Sequence, residues 1–184
     1  MAKPLDHIDD RSAAFIAAQK IYFVGTAPRA DDGLVNLSPK GLDSLRVLDA
    51  RTVAYLDYGG SGIETAAHIR ENGRIALMFC AMEGPPRILR IHGHGEVVEA
   101  PDARFPELRA KFPAGPRGRA IVLIHVQRAA DSCGFGVPLY EYKGERSQLC
   151  DWVEKKGEEG IAQYQREKNA RSLDGLPGLR WVTP

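Results

Sequence analysis

The stretch Thr52–Phe79, TVAYLDYGGSGIETAAHIRENGRIALMF, reads as strand, glycine-rich turn, short amphipathic helix and strand again. The first strand closes on Tyr55-Leu56-Asp57, and Tyr58-Gly59-Gly60-Ser61-Gly62 forms the turn. Glycine has no Cβ, so such a turn can bring its backbone close to a ligand. A helix over Ile63–Glu71 then aims its unpaired N–H groups and the positive end of its dipole at whatever lies over the turn. That geometry suits a phosphate-bearing cofactor. It is equally the geometry of a plain corner between a strand and a helix.

The rest of the composition narrows the class. The chain has 184 residues, 43% hydrophobic and 27% charged, enough for one domain with its own core. Its formal net charge of +1 gives no reason to expect nucleic acid or an anionic membrane as partner. Cys80, Cys133 and Cys150 are odd in number and hold no CxxC pair, which fits reduced thiols. The opening MAKPLDHIDDRSAAF places acidic residues where a signal peptide would carry its apolar core, and no apolar run reaches membrane-spanning length. The expectation is a cytoplasmic protein.

Strands dominate outward from the opening segment. Asp9 or Asp10 can cap a first helix with a narrow apolar stripe of Ala13, Ala14, Ile16 and Ala17. Ile21–Thr26 is β-branched and aromatic, and Leu34–Ser38 reads as its hairpin partner, stopped by Pro39 and Gly41. Leu45–Asp49 pairs with Thr52–Asp57 around Ala50-Arg51, and Arg74–Ala81 is a nearly continuous apolar run. Arg87–Glu99 alternates, with Leu89, Ile91, Gly93, Gly95 and Val97 on one face. Pro101–Phe112 suggests a short helix and Arg119–Gln127 another strand. Six or seven short strands with tight turns predict a mainly β (α+β) fold: an antiparallel β-barrel with flanking helices. The barrel should occupy residues 10–131. Residues 132–184 should form a glycine-rich loop, a charged helix from Glu145 to about Asn169 broken near Gly157 and Gly160, and an extended arm.

The order of these elements resembles a known family. Ala54-Tyr55-Leu56-Asp57 matches an FYTN-like tetrapeptide, and Ser61 falls in the following turn. Glu71-Asn72-Gly73-Arg74-Ile75-Ala76-Leu77 matches an ENPxxAL-like strand entry. Asn36-Leu37-Ser38-Pro39-Lys40-Gly41 resembles an NxSPKG strand, and Arg87–Gly93 a VRIxG strand. Together, over about Asp10–Gln127, they resemble the pyridoxamine 5'-phosphate oxidase-like, FMN-binding split-barrel proteins. The resemblance implies a homodimer with FMN in a groove between two barrels, acting on a small molecule. It implies cofactor contacts from Asn36, Leu37, Ser38, Lys40, Tyr55, Asp57, Ser61, Gly62, Thr65 and Arg90. In this picture backbone around Leu37-Ser38 meets the ring edge, and Lys40 holds the phosphate with the Ser61 turn. Where the oxidase reads Ser-Arg-Lys this chain has Ser61-Gly62-Ile63, so both cations of the turn are absent.

Other residues carry competing readings. Ser61 could instead be a helix N-cap, and Glu64 with Thr65 could complete a capping arrangement. His68 could face the phosphate, although an exposed helix position competes with that. His92 and His94, two apart on one strand face, have spacing for a shared metal but no third ligand in sight, so no metal is expected. Cys133 could be an accessible thiol, but with no adjoining cation to lower its pKa it reads as a buried, inert cysteine. Trp152 reads as an anchor for the C-terminal helix, and Arg117-Gly118-Arg119 as a solvated turn. The functional expectation is an FMN-dependent oxidoreductase with no identifiable general acid or base, since hydride passes directly between substrate and flavin. Two alternatives are a non-enzymatic flavin- or haem-binding protein and a dimeric split-barrel module that has lost its cofactor.

Overall fold

The computed structural model describes residues 4–182. Helix α1 (Asp10–Ala18) starts where Asp9 Oδ1 accepts the Ser12 amide at 2.8 Å, the capping bond its sequence calls for. Then come β1 (Tyr22–Thr26), β2 (Asn36–Lys40), β3 (Leu45–Asp49) and β4 (Thr52–Asp57). Helix α2 (Glu64–Asn72) leads into β5 (Arg74–Cys80) and β6 (Ile88–Glu99), and α3 (Phe105–Arg109) separates β6 from β7 (Ala120–Ser132). Helix α4 (Gln148–Lys168) closes the series.

All seven strands form one antiparallel sheet in the order β2-β1-β5-β6-β7-β4-β3. Its two edges, β2 and β3, are consecutive in the chain, joined only by residues 41–44. Four residues reach at most roughly 14 Å. The sheet must therefore curl until its edges nearly meet, which makes a half-barrel split between β2 and β3. The connection is tight enough to hold Leu42 and Asp43 at φ of 59° and 49°, in the left-handed region. Ser44 fixes it from inside, donating to the Gly41 carbonyl at 2.6 Å and pairing with the Tyr22 hydroxyl at 2.9 Å.

Strand β2 runs through Pro39 rather than stopping there. It is an edge strand, paired only with β1, and an edge tolerates the missing N–H. Long β6 carries a bulge between His92 and Gly93. Glycine is required there, because a Cβ would lie 2.4 Å from the His125 carbonyl oxygen.

The main core fills the curl with Val24, Tyr55, Leu77, Phe79, Ile91 and Ile124 among others. A second cluster, including Leu56, Phe105 and Ile121, seats α3 on the outside of β4 and β7. Helix α2 has a weakly apolar sequence, ETAAHIREN, yet Thr65 through Ile69 are all buried. The sheet covers one side of it. The C-terminal segment covers the other, where Leu179 and Val182 pack on Ile63 and Ala66. The charged helix α4 is bent at Gly157 (φ 65°, ψ 176°), as its sequence predicts, and Trp152 meets Tyr164 edge-on across the bend at 5.0 Å. Among the described residues no helix is long and apolar enough to cross a membrane.

Candidate functional site

Alternation along β2 turns Asn36, Ser38 and Lys40 to the inner side of the curl, toward β4 and α2. The Asn36 amide donates to Thr26 Oγ1 at 3.1 Å and Thr65 Oγ1 at 2.9 Å, and its carbonyl accepts from Ser38 Oγ at 3.0 Å. Thr26 in turn pairs with Nδ1 of fully buried His68 at 3.0 Å, and His68 Nε2 lies 3.7 Å from Asp174. A polar chain thus runs from the mouth of the cleft at Ser38 to the C-terminal segment at Asp174.

Beside it sits a charge cluster. Lys40 Nζ is 3.0 Å from Asp57 Oδ1, and Arg119 Nε donates to Asp57 Oδ2 at 2.9 Å. The Arg119 guanidinium also donates to the Gly60 carbonyl at 3.0 Å and to that of Gly62. Asn169 reaches the same turn, donating to Gly60 O at 2.9 Å. The glycine-rich turn is therefore wrapped around an arginine from the start of β7. Burial alone would raise the Asp57 carboxyl, but the nearby Arg119 and Lys40 charges outweigh it and hold it below its ordinary value. Two cations around one carboxylate leave the cluster a net positive charge.

Tyr55 lies beneath, edge-on to Tyr22 at 6.1 Å, with Lys40 Nζ 5.7 Å from its ring centre. Burial and then the Asp57 charge push its hydroxyl well above the usual tyrosine range, so it stays protonated. The hydroxyl has no hydrogen-bond partner among the described residues.

Of the residues singled out from sequence, Asn36, Ser38, Lys40, Tyr55, Asp57 and Thr65 come together here, and Ser61 and Gly62 form the adjoining exposed turn. Tyr55 and Asp57 are buried, so they support the cleft from below rather than line it. Ser61 does not cap α2. The cap position is Ile63, with no side-chain bond. Leu37 and Arg90 fall on the opposite, outer face, where Leu37 is exposed and Arg90 donates to Ser132 Oγ at 2.9 Å.

Three expectations are corrected. Cys133 is exposed rather than buried, because it follows the last residue of β7 and lies beyond the cover of the sheet. Arg119 is not part of a solvated turn but is buried in the Asp57 pair. His68 is not exposed, because the C-terminal segment covers the side of α2 left free by the sheet.

A curled antiparallel sheet with this cleft beside the β4–α2 turn defines a split-barrel protein. A family model described as pyridoxamine 5'-phosphate oxidase matches residues 8–133, and the chain belongs to that family. The pyridoxamine 5'-phosphate oxidase family protein ustO of Aspergillus flavus is 35% identical over 195 residues, spanning 95% of this chain and 76% of the relative. Among solved structures, HupZ of Group A Streptococcus is similar with TM-score 0.52 and 23% identity, covering 73% of this chain and 99% of that one. A Clostridium acetobutylicum protein related to general stress protein 26 gives TM-score 0.50 at 14% identity over 76% of this chain and 94% of that one. These structural likenesses concern the fold.

Proposed function

We propose that this protein is an FMN-dependent oxidoreductase that acts on a small molecule as a homodimer. One observation carries the reading: on the inner face of β2, Asn36 reaches Thr65 in the first turn of α2 and Lys40 reaches Asp57 at the end of β4, the two flanks of the exposed Ser61-Gly62 turn. The residues suit a phosphate in two respects. No side chain caps α2, so the orphan N–H groups of its first turn remain available, with the helix dipole behind them. Lys40 spends one donor on Asp57 and stays part-exposed, with its side chain 22% accessible, so its remaining N–H groups can reach an anion. Arg119 balances Asp57, which leaves the Lys40 charge to the ligand. The unpaired side of edge strand β2 offers backbone groups to the ring edge. The flavin, when bound, supplies the hydride and electron chemistry. The chain's residues bind it, orient it and shield it from water.

The outer-face positions of Leu37 and Arg90 fit a groove completed by a second subunit. Exposed apolar side chains nearby, Leu34, Val35 and Leu37, support such a contact. Sedimentation at micromolar concentration should show a species larger than the 20.2 kDa chain. A monomer alone would count against the dimer.

The cofactor is tested directly by the absorption spectrum of the purified protein and by mass spectrometry of any ligand released on denaturation. Flavin bands and an FMN mass are expected. A Soret band would point to haem, and a featureless spectrum to a barrel without cofactor. Lys40→Ala should weaken FMN binding about ten- to a hundred-fold, the loss of one charge-assisted contact of roughly 1.5–3 kcal/mol. Unchanged affinity in a folded Lys40→Ala variant would remove Lys40 from the site.

A further inference from the structure

We propose that the hollow between α4 and the barrel is a second binding site, built for a small zwitterion with an apolar body: an amino acid with an apolar side chain. The hollow encloses about 420 Å³, within the size range of small-molecule sites. It owes its shape to one residue. Gly157 adopts a positive φ that bends α4, so that Val153 and Glu154 before the bend and Ile161 and Gln165 after it face the same space. A straight helix would offer one flat wall.

The walls divide by chemistry. Val153, Ile161 and Ala162 of α4 face Ala100 and Trp181 across the hollow, an apolar and aromatic slot. The polar groups are unpartnered. Gln165 is only 7% exposed, lines the hollow, and its carboxamide makes no hydrogen bond among the described residues. The Trp181 indole N–H, in the same wall, is buried and has no hydrogen-bond partner among the described residues. A buried donor left so costs free energy unless a ligand or water answers it. The Arg117 guanidinium stands 5.7 Å from the Phe105 ring centre and makes no ion pair or hydrogen bond among the described residues. Glu154 and Glu158 likewise have no ion-pair partner there, while the neighbouring Lys156 is held over the Trp152 and Tyr164 rings at 5.5 and 5.6 Å.

A packing gap would be apolar and closed. This one is open, carries an uncommitted cation, two uncommitted carboxylates and a buried, unpartnered indole N–H, and has an apolar floor. A ligand with both a carboxylate for Arg117 and an ammonium for Glu154 or Glu158 answers all of them at once. Gly59 and Arg119 share the wall, so the ligand would rest against the turn that borders the flavin cleft. The site stands on its own residues and does not require the flavin reading.

The test uses the full-length protein and the intrinsic fluorescence of its tryptophans, one of which lines the hollow. L-phenylalanine should give a saturable change. Phenethylamine, which lacks the carboxylate, and 3-phenylpropanoate, which lacks the ammonium, should each bind at least about ten-fold more weakly, the equivalent of about 1.4 kcal/mol. Gln165→Leu should weaken L-phenylalanine by a similar factor, and Ala162→Phe, which fills the hollow, should abolish the response. If Ala162→Phe fails to fold by circular dichroism, Gln165→Leu and the two analogues carry the test. Absence of any saturable change at millimolar L-phenylalanine would overturn the proposal. So would equal affinity for all three compounds. Because Lys40 lies outside the hollow, Lys40→Ala should leave L-phenylalanine binding intact even where FMN binding falls.

Discussion

Replacing Arg119 with alanine is expected to destabilise the fold by about 3–5 kcal/mol, the range for breaking a buried ion pair from one side. The Arg119 and Asp57 side chains are 5% and 3% exposed, so water cannot take over the lost contacts. The substitution strands Asp57 with Lys40 alone, leaves the Gly62 carbonyl without its Arg119 donor and leaves the Gly60 carbonyl to Asn169. Urea unfolding should show this as a lower midpoint at unchanged slope. A cycle with Asp57→Asn should show coupling of about 1–3 kcal/mol. Simple additivity would mean that the turn is held by other contacts. The pH dependence has a definite sign. The Asp57 carboxyl is depressed in the folded state, so its contribution is complete above the unfolded value of 3.8 and is lost as pH falls below it through the folded value. Asp57→Asn should therefore flatten the loss of stability below about pH 4.

The half-barrel was legible because its strands carry their own signals. β-Branched runs, the alternation over β6 and the turn residues between them need no knowledge of partners. The order of strands was not readable from period alone, and that order places Asp57 against Arg119. The two residues are 62 positions apart and meet because β4 and β7 pair with Asp57 opposite Ala120. A signal existed in each half. An aspartate closing the buried strand VAYLD and an arginine opening the apolar run AIVLI are both charges at the ends of core strands, and each needs a partner. Only the register joins them.

The cleft was half legible for the same reason. Asn36, Ser38 and Lys40 share a strand face, so their convergence follows from a period of two. Thr26 looks ordinary in its own strand, and His68 carries only the readings of a phosphate contact or an exposed position, because the bond that joins the two spans 42 positions. Leu37 was assigned to the ring edge through its backbone, and alternation sends its side chain to the outer face. Arg90 lies there too, on the same side as His92 rather than the cleft. The C-terminal segment was read as an arm because Leu173–Trp181 has no period. Its role appears only once α2 is seen to need a second cover.

That cover sets the last expected result. A chain ending at Asn169 should lose more than about 5 kcal/mol, enough to leave a domain of ordinary stability largely unfolded. Leu179 and Val182, each 3% exposed, form half of the cluster that buries Ile63 and Ala66 at the start of α2. The same segment supplies the Gly178 carbonyl for Arg70 and the Arg180 amide, 3.0 Å from both Glu99 oxygens. It also supplies Asp174, which accepts the Leu34 amide at 3.2 Å and faces His68. Removing it exposes an apolar helix face and strips partners from Arg70, Glu99 and His68 together. Leu179→Ala grades the effect without truncation and should cost about 2–5 kcal/mol, as for other buried leucines. Urea melts of both variants decide the matter. A truncated chain as stable as the full one would make residues 170–184 an appendage, and α2 would have to be held by the sheet alone.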